Sequence, residues 1–419
     1  MIISDDQSFG DFGFMGHSLI QTPNIDELAE RSVRFVNGYV PYSVCRPSLA
    51  TLLTGLYPHQ NGIYFNRPYF DLPHTLENRH RANHLIRQVP TLPRILSTNG
   101  YKTLQTGKHW EGDYVNAGFD EGMSLAKPHF IEQEPAFAAL GMKSGHSNGD
   151  AGLLIGRRTL KPINEFIDQT TKEKKPFFIW YAPFLPHTPY NAPKKYSAKY
   201  QDNAQVPEYL IPYYSNITWF DETVGLLLTT LEKRNLLQNT IVVFIVDNGY
   251  VVNPQQKMGP LRSKNTPFEQ GLRTPILIRW DGHFKPRSLK GLVSSVDIMP
   301  TLLEAVGISS IKMNFPGMNL LSVLNGQTDL PDRPVFGEIY RGYAVKLDHP
   351  EEEVLSRWIR WGQYKFVLPE SPNEGKMLFD LFNDPDELNN LAGNPAFQKQ
   401  EMKLENRINQ WWNSTERKN

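Results

Sequence analysis

Residue types able to do chemistry fall at a few separated points of this 419-residue chain. Asp5 and Asp6 are adjacent near the start, Lys108 and His109 follow an extended run, His187 sits in Pro186-His187-Thr188-Pro189, and Asp247-Asn248 closes an apolar run. Asp5, Asp6, Asp247 and Asn248 offer only oxygen ligands, which hard cations such as Ca2+ or Mg2+ require and zinc does not prefer. Three carboxylates gathered without a cation would repel one another. Singly, each has a plainer reading. Asp5-Asp6 can cap a turn, Asp247-Asn248-Gly249 is a hairpin-turn signal, His187 between prolines fits a stiff surface loop, and Lys108 a solvated charge.

Cys45 is the other focus. A lone free cysteine reads as a small buried hydrophobe. Its setting adds a second reading, because Cys45-Arg46-Pro47-Ser48 leads into an apolar helical pattern over 49–54, with Pro47 in the first turn and Gly55 at the end. A reactive group there meets unpaired N–H donors and the positive end of the helix dipole, which favour an anion.

These points need elements to hold them. Runs at 2–3, 177–181, 241–246 and 276–280 are β-rich, and the last three are almost continuously apolar, the pattern of strands covered on both faces. Helical patterns alternate with them. Thr22-Pro23 opens one with Ile25, Leu28, Ala29 and Val33 on a stripe; Ile163, Phe166 and Ile167 mark another; 298–306, ended by Gly307, is a third. The alternation predicts an α/β domain with a mainly parallel sheet. In such sheets ligands sit beyond the carboxyl ends of the strands. If the strands at 2–3, 101–106, 177–181 and 241–246 are parallel, they carry the four polar groups to one rim. The polar segment 324–334 is expected to divide a catalytic domain, 1–325, from an α+β subdomain, 326–419. In the latter, 335–340, 358–361 and 364–368 read as a small antiparallel sheet and 397–412 as a closing helix.

Composition narrows the classes. With 44 Lys+Arg against 44 Asp+Glu the chain is not built to coat nucleic acid or an acidic surface. No run approaches the ~18 apolar residues of a spanning helix, so no stable membrane insertion is expected. One cysteine leaves no internal disulfide. No signal-peptide pattern opens the chain, and Ile2-Ile3 reads as the tail of a longer strand, so a trimmed N-terminus is expected.

In their order along the chain these residues resemble the sulfatase family. Cys45-Arg46-Pro47-Ser48 with Leu53-Thr54-Gly55 is similar to the signature C-x-P-S-R-x-x-x-L-T-G, whose cysteine is oxidised after translation to formylglycine. Ser4-Asp5-Asp6-Gln7 with Gly10-Asp11 resembles the opening metal motif, and Gly100-Tyr101-Lys102-Thr103 leading to Gly107-Lys108 the catalytic-lysine strand. Lys264 with Glu269-Gln270-Gly271-Leu272-Arg273-Thr274-Pro275 resembles K-x-x-x-x-E-G-G-x-R-x-P. Leu378-Phe379-Asp380-Leu381 to Asp384-Pro385, with Asn390-Leu391-Ala392, resembles the C-terminal sheet motif, so the match spans nearly the whole chain.

The resemblance implies an alkaline phosphatase-like α/β fold, a large mixed sheet sandwiched by helices, and hydrolysis of a sulfate ester. By it, Asp5, Asp6, Asp247 and Asn248 hold Ca2+, with Mg2+ as an alternative, beside the modified Cys45. One hydroxyl of the hydrated aldehyde attacks sulfur, and the other then loses its proton to expel sulfate. Lys108, Lys264 and His187 surround the sulfate oxygens. A second histidine, His109 or His146, serves the leaving alcohol or the aldehyde, and Glu269 and Arg273 belong to the scaffold. A formylglycine-generating enzyme is the implied maturation partner, and a periplasmic or secreted location is expected.

Two departures stand out. Leu49 replaces the signature arginine, with Arg46 a partial substitute, and G-K-W-H appears as Gly107-Lys108-His109-Trp110, which moves the histidine by one residue and reverses its face on an extended segment. They motivate a catalytically inactive sulfatase-like binding protein as one alternative. A phosphate or phosphonate monoester hydrolase of the same superfamily is the other. Tyr64, Phe65, Tyr69, Trp110, Tyr114 and Tyr190 are expected near the rim, where they could stack on the rings of a sulfated carbohydrate; core packing is their plainer reading.

Overall fold

A computed structural model of the chain describes residues 1–68, 76–125, 151–254, 262–309, 314–347 and 349–415. The main sheet comprises β1 (Ile2–Ser4), β2 (Val33–Tyr39), β3 (Lys102–Gly107), β4 (Glu121–Gly122), β5 (Phe177–Ala182), β6 (Val242–Val246), β7 (Arg273–Arg279), β8 (Arg287–Leu289) and β9 (Val293–Ser294). Their order is β9-β2-β7-β6-β1-β5-β3-β4, with β8 also pairing with β2. β1 is parallel to both neighbours, Ile2 lying opposite Tyr181 on β5 and Phe244 on β6, and β3 is parallel to β5. β7 runs antiparallel to β6 and β2, so the sheet is mixed with a parallel centre.

The continuous apolar run of β6 follows from two cores. Val242, Phe244 and Val246 join Ile25 and Leu28 of α1 (Pro23–Glu30), Ile163 and Phe166 of an α-helix at Lys161–Lys172, and Phe220 and Val224 of another at Ile211–Lys233. Val243 and Ile245 point the other way, among Leu52 and Leu53 of α2 (Cys45–Thr54) and Ile298 and Leu303 of the helix Ile298–Ala305. Successive side chains of a strand face opposite sides, so a strand between two helical layers is apolar at every position.

Val33 departs from the expected helical stripe. α1 stops at Glu30, and Val33 opens β2 opposite Ile278, its side chain buried with that of Phe35 in the second core. The apolar spacing 25, 28, 29, 33 fits a helix, but strand pairing claims the last member. Asp247-Asn248-Gly249 is likewise no hairpin turn. The chain leaves β6 for a long excursion before β7, and Gly249 N–H donates to Gly271 O at 2.8 Å. The described helices include none long and apolar enough to cross a membrane.

The second sheet is antiparallel, with β10 (Val335–Tyr340), β11 (Val354–Trp361), β12 (Tyr364–Pro369) and β13 (Met377–Asp380) in sequence order. Phe336, Ile359, Phe366 and Leu378 pack under Leu404, Ile408 and Trp411 of the last helix, Gln398–Thr415. Buried charges join the two sheets. Glu269 accepts from Tyr39 Oη at 2.7 Å, Arg360 Nη1 at 3.0 Å and Lys365 Nζ at 3.3 Å. Lys365, fully buried, also meets Glu387 at 2.8 Å, and Glu387 accepts the Glu269 N–H at 2.8 Å. Arg273 donates to Val36 O.

Removing one partner of a buried ionic cluster strands the others. Lys365→Met, which keeps most of the volume, leaves Glu269 and Glu387 facing each other, and is expected to lower unfolding stability by ~3–5 kcal/mol. Chemical denaturation measures it, and a loss below ~1 kcal/mol would mean that the cluster is not a structural tie.

Candidate active site

The central strands are parallel, so their carboxyl ends open at one place. β1 delivers Asp5 and Asp6, β6 delivers Asp247 and Asn248, β3 delivers Lys108, and the loop after β5 brings His187. Neighbours on an extended strand point to opposite faces, yet both Asp5 and Asp6 enter the site because Asp6 takes a left-handed conformation, φ 58°. Gly107 has φ 81°, and a Cβ there would lie 2.0 Å from Ala182 O, so only glycine lets the chain turn Lys108 inward. Lys108 N–H donates to that same oxygen at 2.7 Å.

Cys45 opens α2 with its thiol fully buried. Lys264 Nζ lies 3.0 Å from its Sγ and donates to both Asp6 oxygens, at 2.6 and 2.7 Å. Lys108 Nζ donates to Asp5 Oδ1 at 2.6 Å and lies 3.6 Å from Asp247 Oδ2. Asn248 Nδ2 donates to Asp6 Oδ1 at 2.7 Å, and the Asp6 N–H donates to Asp247 Oδ1 at 3.0 Å. His187 Nε2 stands 3.3 Å from Asp6 Oδ2, and Nδ1 pairs with Thr188 O at 2.7 Å. The side chains of His187 and Lys264 keep 12% and 20% exposure, which marks the open side of the site.

The donor set fits a hard cation. Asp5 Oδ2, Asp247 Oδ2 and Asn248 Oδ1 are buried with no hydrogen-bond partner among the described residues. Ligand atoms of Asp5, Asp247 and Cys45 lie within 4.8 Å of one another, as do those of Asp5, Asp6 and His187. Buried acceptors left without donors are costly, and a cation satisfies them.

Charge crowding sets the titration. Burial, reinforced by Asp5, pushes the Asp247 carboxyl from its ordinary 3.8 up to about 7. Burial also raises Asp5, outweighing Lys108. Burial acts the same way on Asp6, but Lys264 and then His187 hold its carboxyl well below the usual range. Burial would discharge Lys108 and Lys264, yet the carboxylates keep both ammonium groups above their ordinary value. Burial pushes the Cys45 thiol up to about 12 and His187 down to about 3, so at neutral pH the unmodified cysteine is a thiol and the histidine neutral.

Asp5, Asp6, Asp247, Asn248, Cys45, Lys108, His187 and Lys264 are therefore brought together. His109 is placed differently: its ring is buried edge-on to Phe119, with centroids 6.3 Å apart, and burial lowers it to about 4. His146 and Tyr69 lie outside the described residues. Arg46 does not stand in for the missing signature arginine. Its guanidinium is buried on Glu111, with contacts at 2.8 and 2.7 Å, and donates to Ala82 O at 2.8 Å. Leu49 is packed into the main core. Tyr64 and Phe65 are fully buried core residues, while Trp110, Tyr114 and Tyr190 are half-buried. Sequence reasoning missed Glu111, which fixes Arg46. It also missed Asn216, whose Nδ2 donates to the carbonyls of Pro186, His187 and Pro189 and so holds the His187 loop; a buried amide within the helix Ile211–Lys233 was its only signal.

The sulfatase family model matches residues 1–308, and a model described as N-sulphoglucosamine sulphohydrolase, C-terminal, matches 261–414. Human arylsulfatase A is 28% identical to this chain, covering 94% of it and 83% of the relative. The ulvan-active sulfatase of Formosa agariphila is 27% identical, covering 97% of this chain and 79% of the relative. The crystal structure of Ps i-CgsB in complex with k-i-k-neocarrahexaose superposes with a TM-score of 0.75 at 26% identity, over 98% of this chain and 92% of that one.

A raised carboxyl binds protons more tightly in the native than in the unfolded chain, so without a cation the stability contributed by Asp247 falls as pH rises from about 4 to about 7. Ca2+ or Mg2+ removes that loss. Thermal melts are expected to show a cation-induced rise in Tm, relative to chelator, that grows across this pH window and vanishes in Asp247→Ala. A Tm indifferent to both cations at every pH would sink the cation site.

Proposed function

The chain belongs to the sulfatase family, a sulfuric ester hydrolase by that membership, and from this premise we propose that it removes sulfate from a sulfated carbohydrate, using Cys45 matured to formylglycine and a cation, Ca2+ or Mg2+. The observation that carries the reading is the convergence of Asp5, Asp6, Asp247 and Asn248 on Cys45, with Lys108 and Lys264 set among them. The carbohydrate class is supported by relatives named for ulvan and for N-acetylgalactosamine 6-sulfate, and by the oligosaccharide bound in the Ps i-CgsB structure.

The reading accounts for the charges. Three carboxylates against two ammonium groups leave one negative charge, which a divalent cation over-compensates, so the loaded site is net positive and attracts a sulfate monoanion. Formylglycine at position 45 would supply, as its hydrate, a nucleophile that needs no separate water to release sulfate, and a cation held by Asp5, Asp6, Asp247 and Asn248 would supply Lewis acidity. The chain's own residues do the rest. Asp6 keeps the Lys264 ammonium charged and aimed at position 45, and Asp5 does the same for Lys108. Both ammonium groups are thus fixed before substrate arrives, in a site dry enough for their charge to count. His187, its Nδ1 engaged by Thr188 O, turns Nε2 toward the sulfate position from the open side.

An unmodified Cys45 is unsuited to the reaction. A thiol held near 12 is protonated at neutral pH, and a single nucleophilic atom would still need water to cleave its ester. A formylglycine-generating enzyme is therefore the maturation partner this reading requires.

Chain made with such an enzyme is expected to carry an aldehyde at position 45 by peptide mass, and to hydrolyse an aryl sulfate far faster than the matching aryl phosphate. Cys45→Ala abolishes turnover. Lys264→Ala lowers kcat/KM by ~100-fold, the scale of removing one fixed transition-state donor. Turnover of aryl phosphate alone, or full activity in Cys45→Ala, would overturn the reading.

A further inference from the structure

Arg157 is buried, 8% exposed, and the hydrogen-bond partners of its guanidinium are carbonyl and amide oxygens, while the Asp5 carboxylate favours its charge electrostatically. Burial pushes its guanidinium down only to about 10, so it is charged at neutral pH. A buried cation without a bonded counter-ion is costly, and an apolar side chain of similar volume would fill the same space without that cost. What the guanidinium touches offsets it. Nε and Nη2 donate to Phe184 O at 3.0 and 2.6 Å, Nη2 also to His187 O at 3.0 Å, and Nη1 to Asn191 Oδ1. All four contacts fall on the loop that carries His187. The guanidinium also lies 5.6 Å from the centroid of the Phe184 ring, and that ring stacks on the His187 imidazole, with centroids 4.5 Å apart and planes 27° from parallel.

We propose that Arg157 is a positioning residue for His187: it fixes the histidine's carbonyl directly and its ring through Phe184, so that Nε2 stands at the open side of the site. The inference rests on the role proposed above for His187. Asn216 grips the same loop by its carbonyls from the helix Ile211–Lys233, whereas Arg157 holds both the loop's carbonyls and a place beside the Phe184 ring, which Lys108 Nζ also approaches, at 5.8 Å from its centroid, and against which Leu153 packs. The fork geometry is specific to arginine, since lysine offers one point charge where planar donors in two directions are needed. No element of the sulfatase signature includes Arg157, whose neighbours, Gly156 and Arg158, belong to a short turn before the helix Lys161–Lys172.

The test uses the matured full-length chain and two variants, Arg157→Ala and Arg157→Lys, with a small aryl sulfate as probe. A misplacement of about 1 Å in a group facing the reaction costs ~100-fold, so kcat is expected to fall by roughly that factor in Arg157→Ala, with KM changed less than about three-fold. Arg157→Lys is intermediate. Millimolar guanidinium restores part of kcat to Arg157→Ala and nothing to the wild type, a rescue that a merely loosened fold would not give. Thermal melts identify which variants fold, and Arg157→Lys carries the test if the alanine variant does not. Crystal structures of the variants supply a readout independent of turnover, the Phe184–His187 stack and the His187–Asp6 distance. A folded variant with the stack intact and kcat within two-fold of wild type overturns the inference. Absence of sulfate turnover in the wild type would overturn the proposed function, while the variant structures would still decide where His187 is held.

Discussion

The contact on which the rest depends is the pair of ammonium groups, Lys108 and Lys264, set against three carboxylates in a space from which water is nearly excluded. Neither set survives burial alone. Desolvation would discharge the lysines and protonate the aspartates, and each prevents this for the other only at contact distance. The balance is incomplete, because Asp247 is left with a raised pKa and with one oxygen, Oδ2, that no hydrogen-bond donor among the described residues satisfies. That remaining negative charge is what the proposed cation would balance, in place of a closed salt-bridge cluster.

Holding such a site needs rigid supports on every side, and the sheet supplies them. β1, β3, β5 and β6 are parallel neighbours at its centre, so hydrogen-bonded register fixes the distances between groups separated by up to 242 residues along the chain. α2 stands beside them with Cys45 at its N-terminus, where the backbone itself favours an anion. The parts that are not strand are tied down by polar contacts instead: Glu111 anchors Arg46, Asn216 and Arg157 the His187 loop, and Ser43 the segment around Lys264, its carbonyl accepting from Asn265 N–H at 2.9 Å.

The second sheet takes part in the same arrangement. Glu269 lies five residues beyond Lys264 on one stretch of chain, and its carboxylate is gripped by Arg360 and Lys365 from β11 and β12. Glu387, from the turn after β13, accepts the Glu269 N–H. The C-terminal sheet is thus not an appendage but one wall of the socket in which the Lys264 segment is seated. The motif residues read from sequence as scaffold have this as their physical content.

Composition, spacing and the resemblance determined the α/β class, the two sheets and most of the site. Asp5, Asp6, Lys108, His187 and Asp247 each follow a recognisable strand, and strand ends in such sheets converge. Local pattern was insufficient where a tertiary partner decided the outcome. Val33 continues a helical stripe but pairs with Ile278 in a strand; Arg46 is adjacent to the cysteine but is taken by Glu111; Tyr64 and Phe65 are candidates for stacking on a sugar at the rim, but take the plainer reading by filling the core. His109 shows the limit most clearly, because one residue's shift on an extended segment changes which face a side chain occupies, and the packing of Phe119 then fixes it. The sequence by itself pointed Asp5, Asp6, Lys108, His187, Asp247 and Asn248 to one rim, and the resemblance added Lys264 and Cys45. Only the tertiary structure decided how they meet, because the left-handed turn at Asp6, the glycine contact at Gly107 and the grip of Arg157 on a distant loop depend on atoms close in space and far apart in the chain.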